Sequence, residues 1–254
     1  MQKIFLLSLV LALFAADLSA QTIIDENEDY KPVLYRNEYS FGFMLHSNGW
    51  GINFNRGKHI TGYKKRMFEF DFVGMKHPKE VKTLQNENAK SYVYGKLNTF
   101  SILRSSIGEQ KLLYSRNTRQ GVEVRLNYAV GASFGITKPV YLEILVPIDK
   151  VQPVDTFPSA RIEVQKYDPD EHFTNNIVGR ANFFNGIDEL DLHPGLHGKL
   201  AISFGYGYLD DDVKALETGM TIDLYPKDIP IMALIDNNSV YFNFYFKLLY
   251  GRKW

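Results

Sequence analysis

Three groups of residues carry types and spacings that could do chemistry. His46 and Ser47 stand side by side in "MLHSNGW", and His77 lies in "MKHPKE". A serine hydroxyl with a histidine base and a carboxylate is the equipment of acyl transfer, so a site of this kind at a membrane surface would act on lipid. Neighbours along a strand point to opposite faces, however. Ser47 and His46 therefore form a dyad with difficulty, and His77 can meet them only across a rim. The second group is "YDPDEH", where Asp168, Asp170 and Glu171 offer the hard oxygen ligands that Ca²⁺ takes. It lacks the glycine and terminal glutamate of an EF-hand loop. The third is His193 and His197, spaced i,i+4 like a helical zinc pair. Pro194 and Gly195 between them argue against a helix. No glycine-rich phosphate cradle is present. The simplest reading of all three groups is polar decoration of rims and loops, with no cofactor and no metal.

Lys and Arg number 29, as do Asp and Glu, so the formal net charge is zero. That balance gives no electrostatic footprint for nucleic acid. The absence of cysteine excludes disulfides and thiolate metal sites. The chain opens "MQKIFLLSLVLALFAADLSA", with basic Lys3, an apolar run from Ile4 to Ala16, and small Ser19 and Ala20 before Gln21. This reads as a secretory signal peptide over 1–20, too short in its apolar run to span a bilayer. Residues 21–254 are then a single domain. No later stretch reaches about eighteen consecutive apolar residues. An exported chain of this kind is either soluble or a closed barrel, because only helices and closed barrels satisfy their backbone in lipid.

What must position the candidate residues is a set of strands with period-two alternation. In "EYSFGFMLH" the apolar residues are Tyr39, Phe41, Phe43 and Leu45. After Asn48-Gly49, a type I′ hairpin signal, the parity flips to Trp50, Ile52 and Phe54. This turn would pair Ser47 with Trp50. "KRMFEFDFVGM" keeps Phe68, Phe70 and Phe72 on one face. "YVYGKLNTFSILRS" is a fourth strand with ambiguous faces. Gly121 to Val146 reads as one long strand bent near Gly135 and Pro139, with Val122, Val124, Leu126, Tyr128 and Val130 aligned. "KLAISFGYGY" and "VKALETGMTIDLY" follow, and "SVYFNFYFKLLYGRKW" closes the chain. Together these predict an all-β, closed antiparallel transmembrane barrel of about eight strands, ten being the other count. Long connections near 77–91, 147–195 and 226–238 fall on one side and short turns on the other, the asymmetry of an outer-membrane barrel. The segment 106–118 is long for a turn on the short side.

The dense aromatic face, the one-sided loops and the aromatic closing strand put lipid outside. Phe242, Phe244, Phe246, Leu248 and Tyr250 then face the bilayer. Glu69, Asp71, Glu123, Arg125, Lys199, Glu217, Asp223 and Lys247 face inward, where both signs can pair. A soluble secreted barrel that binds a small ligand would show the same period with its charges outside. An eight-stranded barrel is filled by side chains, so a diffusion pore is not expected.

The signal peptide ending before Gln21, with "HSNGWGINFNRGK", "MKHPKE", "YGKLNTFSILR", "GITKPVYLEI" and "DLYPKDIPIMA", resembles a group of small outer-membrane β-barrel proteins of the Bacteroidota. The resemblance covers most of the mature chain. It implies the fold and an outer-membrane location and carries no catalytic residue. The expected partners are outer-membrane lipid and a protein docked on the segment 147–195. That segment begins Pro-rich and ends in a stretch that could hold a short helix bearing Phe183, Phe184, Ile187 and Leu190. A structural or accessory barrel, alone or in a secretion or envelope-assembly complex, is the leading expectation. A lipid A or phospholipid-modifying enzyme built on His46 is the runner-up.

Overall fold

The computed structural model describes residues 35–84, 90–115, 121–147, 160–207 and 211–254. The signal peptide read over 1–20, the Pro-rich start of the long connection and the turn tip at Leu209 and Asp210 lie outside them. In chain order the strands are β1 (Asn37–His46), β2 (Gly49–His59), β3 (Lys64–Met75), β4 (Lys82–Thr83), β5 (Tyr92–Val93), β6 (Asn98–Tyr114), β7 (Glu123–Pro139), β8 (Tyr141–Pro147), β9 (Ala160–Lys166), β10 (Ile177–Arg180), β11 (Asp191–Gly205), β12 (Asp212–Leu224) and β13 (Val240–Lys253).

Eight of these form a closed antiparallel barrel in the order β1-β13-β12-β11-β7-β6-β3-β2. Each barrel strand pairs with its neighbours in the chain. The last returns to the first, with Tyr39 opposite Arg252 and Leu45 opposite Phe246. Closure leaves no sheet edge with unpaired backbone groups. Burial alternates residue by residue. Along β13 the odd positions Tyr241 to Gly251 are buried, and Phe242, Phe244, Phe246, Leu248 and Tyr250 are exposed. The narrow interior relies on small pairs across the ladder. A Cβ at Gly219 would lie 2.5 Å from that of Ala201, its partner in register.

Several boundaries differ from the sequence reading, each for a local reason. The first turn is Ser47–Asn48, so His46 pairs with Gly49 and Leu45 with Trp50. The parity flip survives, but the type I′ turn does not, since neither residue takes a positive φ. Flanking strands hold the turn instead. Ser47 N–H donates to Phe244 O, and Asn48 O accepts from Lys76 N–H. The fourth barrel strand starts at Asn98 and runs to Tyr114, which absorbs most of the connection that looked too long. Both its faces are polar around Ser105 and Ser106, so the alternation there carried little signal. The long strand leaves the barrel at Pro139, and the chain continues as β8 in a separate sheet. Gly135 is not a bend. A Cβ there would press on the Phe100 and Tyr225 rings. β11 begins at Asp191, so the "HPGLH" stretch is strand and the long connection ends sooner than 195. The expected short helix is a single 3₁₀ turn, Ile187–Glu189.

Two apolar clusters sit at the long-loop end. The connection after β12 folds back over the barrel mouth. Its Ile229, Ile231 and Met232 pack on Phe100, Tyr225, Tyr241, Tyr245, Met44, Val73 and Met75. Leu97 and Asn98 N–H donate to Ile231 O, and the Asn237 side chain accepts from Ile231 and Met232 N–H while donating to Met232 O. Among the described residues, this loop stoppers the mouth. The long connection forms its own antiparallel sheet, ordered β10-β8-β9. Its inner face buries Leu142, Ile144 and Ile177 against Tyr92 and Tyr167.

Candidate functional site

The inward face carries a column of charges that inward-pointing parity selects from seven strands, β1, β3, β6, β7, β11, β12 and β13. Near the short-turn end, Lys65 Nζ donates to both Glu38 oxygens at 2.8 and 2.9 Å, and His59 Nε2 lies 3.4 Å from Glu38. Arg125 Nε pairs with Glu123. Glu38, Lys65, Glu123 and Arg125 line part of a vestibule of about 60 Å³. That is room for roughly two water molecules and far below the several hundred Å³ of a small-molecule site.

The middle layer is denser. Lys199 Nζ bridges Glu69 Oε2 at 2.5 Å and Glu217 Oε1 at 3.1 Å. Glu217 also accepts from the Tyr245 hydroxyl at 2.7 Å and from Asn127. Lys247 Nζ lies 3.4 Å from Asp71 Oδ1 and 3.6 Å from Glu217 Oε1, with the lysine side chain 0% exposed. Asn53 donates to Asp71 at 2.5 Å. Above it, Arg104 clamps Asp223 through Nε at 3.0 Å and a terminal nitrogen at 2.6 Å. His197 Nδ1 meets the same carboxylate at 2.9 Å. The apolar stopper closes the column. An ion stranded in such a place costs several kcal/mol. Each charge named here has at least one opposite partner, and the network knits strands that are distant in the chain.

All eight sequence-named inward residues point into the barrel, though Glu123 stays partly exposed at the vestibule. Sequence reasoning missed Glu38, Lys65, Arg104, Asn53, Asn127, Tyr245 and His197 as members of the column. Inward parity within an assigned strand would have found most of them. Arg104 was hidden by the ambiguous faces of its strand, and Tyr245, which shares the parity of Asn243 and Lys247 in the closing strand, carries no charge to mark it.

The candidate nucleophile and bases do not assemble. Ser47 Oγ bonds Asn243 Oδ1 at 3.2 Å, and Asn48 Nδ2 bonds the same oxygen at 3.0 Å. His46 Nδ1 accepts from Asn48 N–H. His77 Nδ1 accepts from Lys79 N–H, and its own backbone N–H goes to Glu80. Among the described residues no hydrogen bond joins His46, Ser47 and His77 to one another. Asp168 accepts from Asp170 N–H in a tight turn. No group of three potential ligands, Asp168, Asp170 and Glu171 included, gathers as a metal cage among the described residues. His193 bonds Thr137 Oγ1, away from the Asp223 partner of His197.

Outside the barrel, the three-stranded sheet is tied to the rim through Glu189, which pairs with Lys166 at 2.5 Å and accepts from the Tyr141 hydroxyl. The Lys166 ammonium, then the Tyr141 hydroxyl, hold the Glu189 carboxyl below its ordinary range. The face of that sheet away from its core exposes Leu145, Ile162 and Val164.

The fold and its two faces define a class: a closed, side-chain-filled eight-stranded barrel, apolar outside and charged within. No family model matches the chain, and no curated protein matches it. Among solved structures it is similar to Ail, the attachment invasion locus protein of Yersinia pestis, at 8% identity and TM-score 0.39, over 86% of this chain and 97% of that one. It is similar also to Neisserial surface protein A, at 10% identity and TM-score 0.38, over 86% and 94% of the two chains. The class assignment rests on this chain's own strand order and the chemistry of its two faces.

Proposed function

We propose that this chain is a non-conducting outer-membrane barrel of structural or accessory type, whose long-loop end carries a folded platform for a protein partner. The observation that carries the reading is the inversion of faces. Phe244 and Phe246 are 60% and 61% exposed, while Lys247 between Phe246 and Leu248 is completely buried. In water that arrangement is unfavourable, since each exposed side chain of this size forgoes roughly 1.5–3 kcal/mol of burial. In a bilayer it is the expected one. From Val240 to Tyr250 the outward row runs about 33 Å along the strand, or about 25 Å of height at a tilt of about 40°, the thickness of a barrel's apolar band. Tyr39, Tyr63, Tyr114, Tyr250 and Trp254 are exposed toward the short-turn end, where an interfacial aromatic girdle belongs. A soluble ligand-binding barrel would need the opposite faces.

The partner reading is supported by the long connection having its own small core and an exposed apolar face. The stretches quoted from the sequence resemble small outer-membrane barrels of the Bacteroidota, and a secretion or envelope-assembly complex is the setting we propose. Fractionation with a boiled-versus-unboiled gel tests the membrane part. A soluble protein with no mobility shift would overturn it. Affinity purification from native envelopes tests the platform. Deleting residues 150–190, or introducing Ile162→Asp with Val164→Asp, should remove a co-purifying protein while the barrel still shifts on boiling. Unchanged co-purification would refute docking there.

A further inference from the structure

The turn Asn182–Gly186 lies on the outer wall of the barrel, not over its mouth. Lys138 shares the outward row of β7 with Phe134 and Ile136, so its side chain leaves the barrel on the lipid side. Its ammonium donates to Asn185 O at 3.0 Å and sits 5.0 Å from the centre of the Phe183 ring. Gly186, at φ 80°, packs so closely that a Cβ would lie 2.9 Å from the Tyr141 ring and 3.1 Å from Pro139. Only glycine takes that backbone without strain. The turn is thereby pinned to the top of the β7 wall. Its two rings nonetheless point away from protein: Phe183 and Phe184 are 68% and 71% exposed, edge to face at 5.9 Å. Ile187, Leu190 and Leu192 continue the exposed apolar surface downward, and Leu192 stands beside Ile136 in the barrel ladder. Lys138 puts positive charge beside the Phe183 ring, and Arg180, exposed three residues before Phe183 in the chain, adds a second cation to the segment.

We infer that the Phe183–Phe184 turn is a membrane-interface anchor. The rings enter the boundary between headgroups and acyl chains, where aromatic side chains are favoured, and Lys138 with Arg180 meets lipid phosphate. The anchor is continuous with the outward apolar belt and rests on the membrane reading of that belt. It holds the three-stranded sheet down against the bilayer, because Glu189, in the same connection, bonds both Tyr141 and Lys166 of that sheet.

The chain has no cysteine, so one introduced cysteine gives a unique labelling site. Full-length protein carrying Phe183→Cys, Phe184→Cys, Phe246→Cys or Leu234→Cys would be labelled with an environment-sensitive fluorophore. It would then be folded into vesicles of phosphatidylcholine and phosphatidylglycerol, with or without bromine high on the acyl chains. Leu234 is the water control, 82% exposed on the stopper loop. The expected result is blue-shifted emission quenched by brominated lipid at 183, 184 and 246, and neither at 234. Lys138→Glu should reduce quenching at 183 and leave 246 unchanged. Quenching at 246 with 183 and 184 behaving like 234 would overturn the anchor and leave the membrane reading intact. No quenching at 246 would overturn both. Shielding of 183 in native envelopes without quenching in vesicles would overturn the anchor in favour of a protein contact.

Discussion

Lys199→Met would test the charged column most directly. Lys199 is, among the described residues, the one cation within ion-pair distance of Glu69, at 2.5 Å, and it also bonds Glu217 at 3.1 Å. All three side chains are almost completely buried. Methionine keeps most of the stem volume, so the packing term is small. The loss is electrostatic: Glu69 is left as a buried carboxylate without a cation, while Glu217 keeps Tyr245 and the Lys247 ammonium at 3.6 Å. Breaking a buried pair by removing one partner costs about 3–5 kcal/mol, or roughly 150-fold or more in the folding equilibrium at about 1.4 kcal/mol per tenfold. Urea titration of the barrel refolded in phospholipid vesicles would read this as a lowered midpoint, followed by tryptophan fluorescence and by the unboiled gel band. Adding Glu69→Gln should recover much of the loss, because it removes the stranded charge rather than the bond alone. A Lys199→Met cost below about 1 kcal/mol, or a double variant no better than the single one, would refute the claim that these charges are desolvated and mutually dependent.

Further outcomes follow from the same geometry. Ile229→Ala with Ile231→Ala should cost about 2–5 kcal/mol per site by loosening the stopper; planar-bilayer recordings should nonetheless stay silent, since the charged column below still fills the bore, and stepwise conductance would contradict that. Gly219→Val should fold poorly or cost at least about 1–3 kcal/mol by overpacking, because its Cβ meets that of Ala201; an unchanged urea midpoint would show that the wall can yield. Phe246→Arg should cost about 2–4 kcal/mol near the bilayer midplane and slow insertion into vesicles, an effect absent if that face meets water.

The sequence by itself determined the alternation, and with it the barrel, the outward aromatic row and the inward charges. Each follows from the two-residue period of a strand, which a local pattern records completely. Phe242, Phe244 and Phe246 against Asn243 and Lys247 needed no partner strand to be sorted into two faces. Only the tertiary structure decided what those faces meet across the bore. That Arg104 clamps Asp223 in β12, that Lys199 joins Glu69 from β3 to Glu217 from β12, and that Ile231 stoppers the mouth are contacts between residues far apart in the chain. They depend on barrel diameter and strand stagger, which no local window contains. The same limit explains the strand ends. β6 runs on to Tyr114 and β11 begins at Asp191 because neighbouring strands offer hydrogen bonds there, while the side chains alone show little preference. The place where β7 departs at Pro139 likewise depends on the rim and the small sheet waiting to receive the chain.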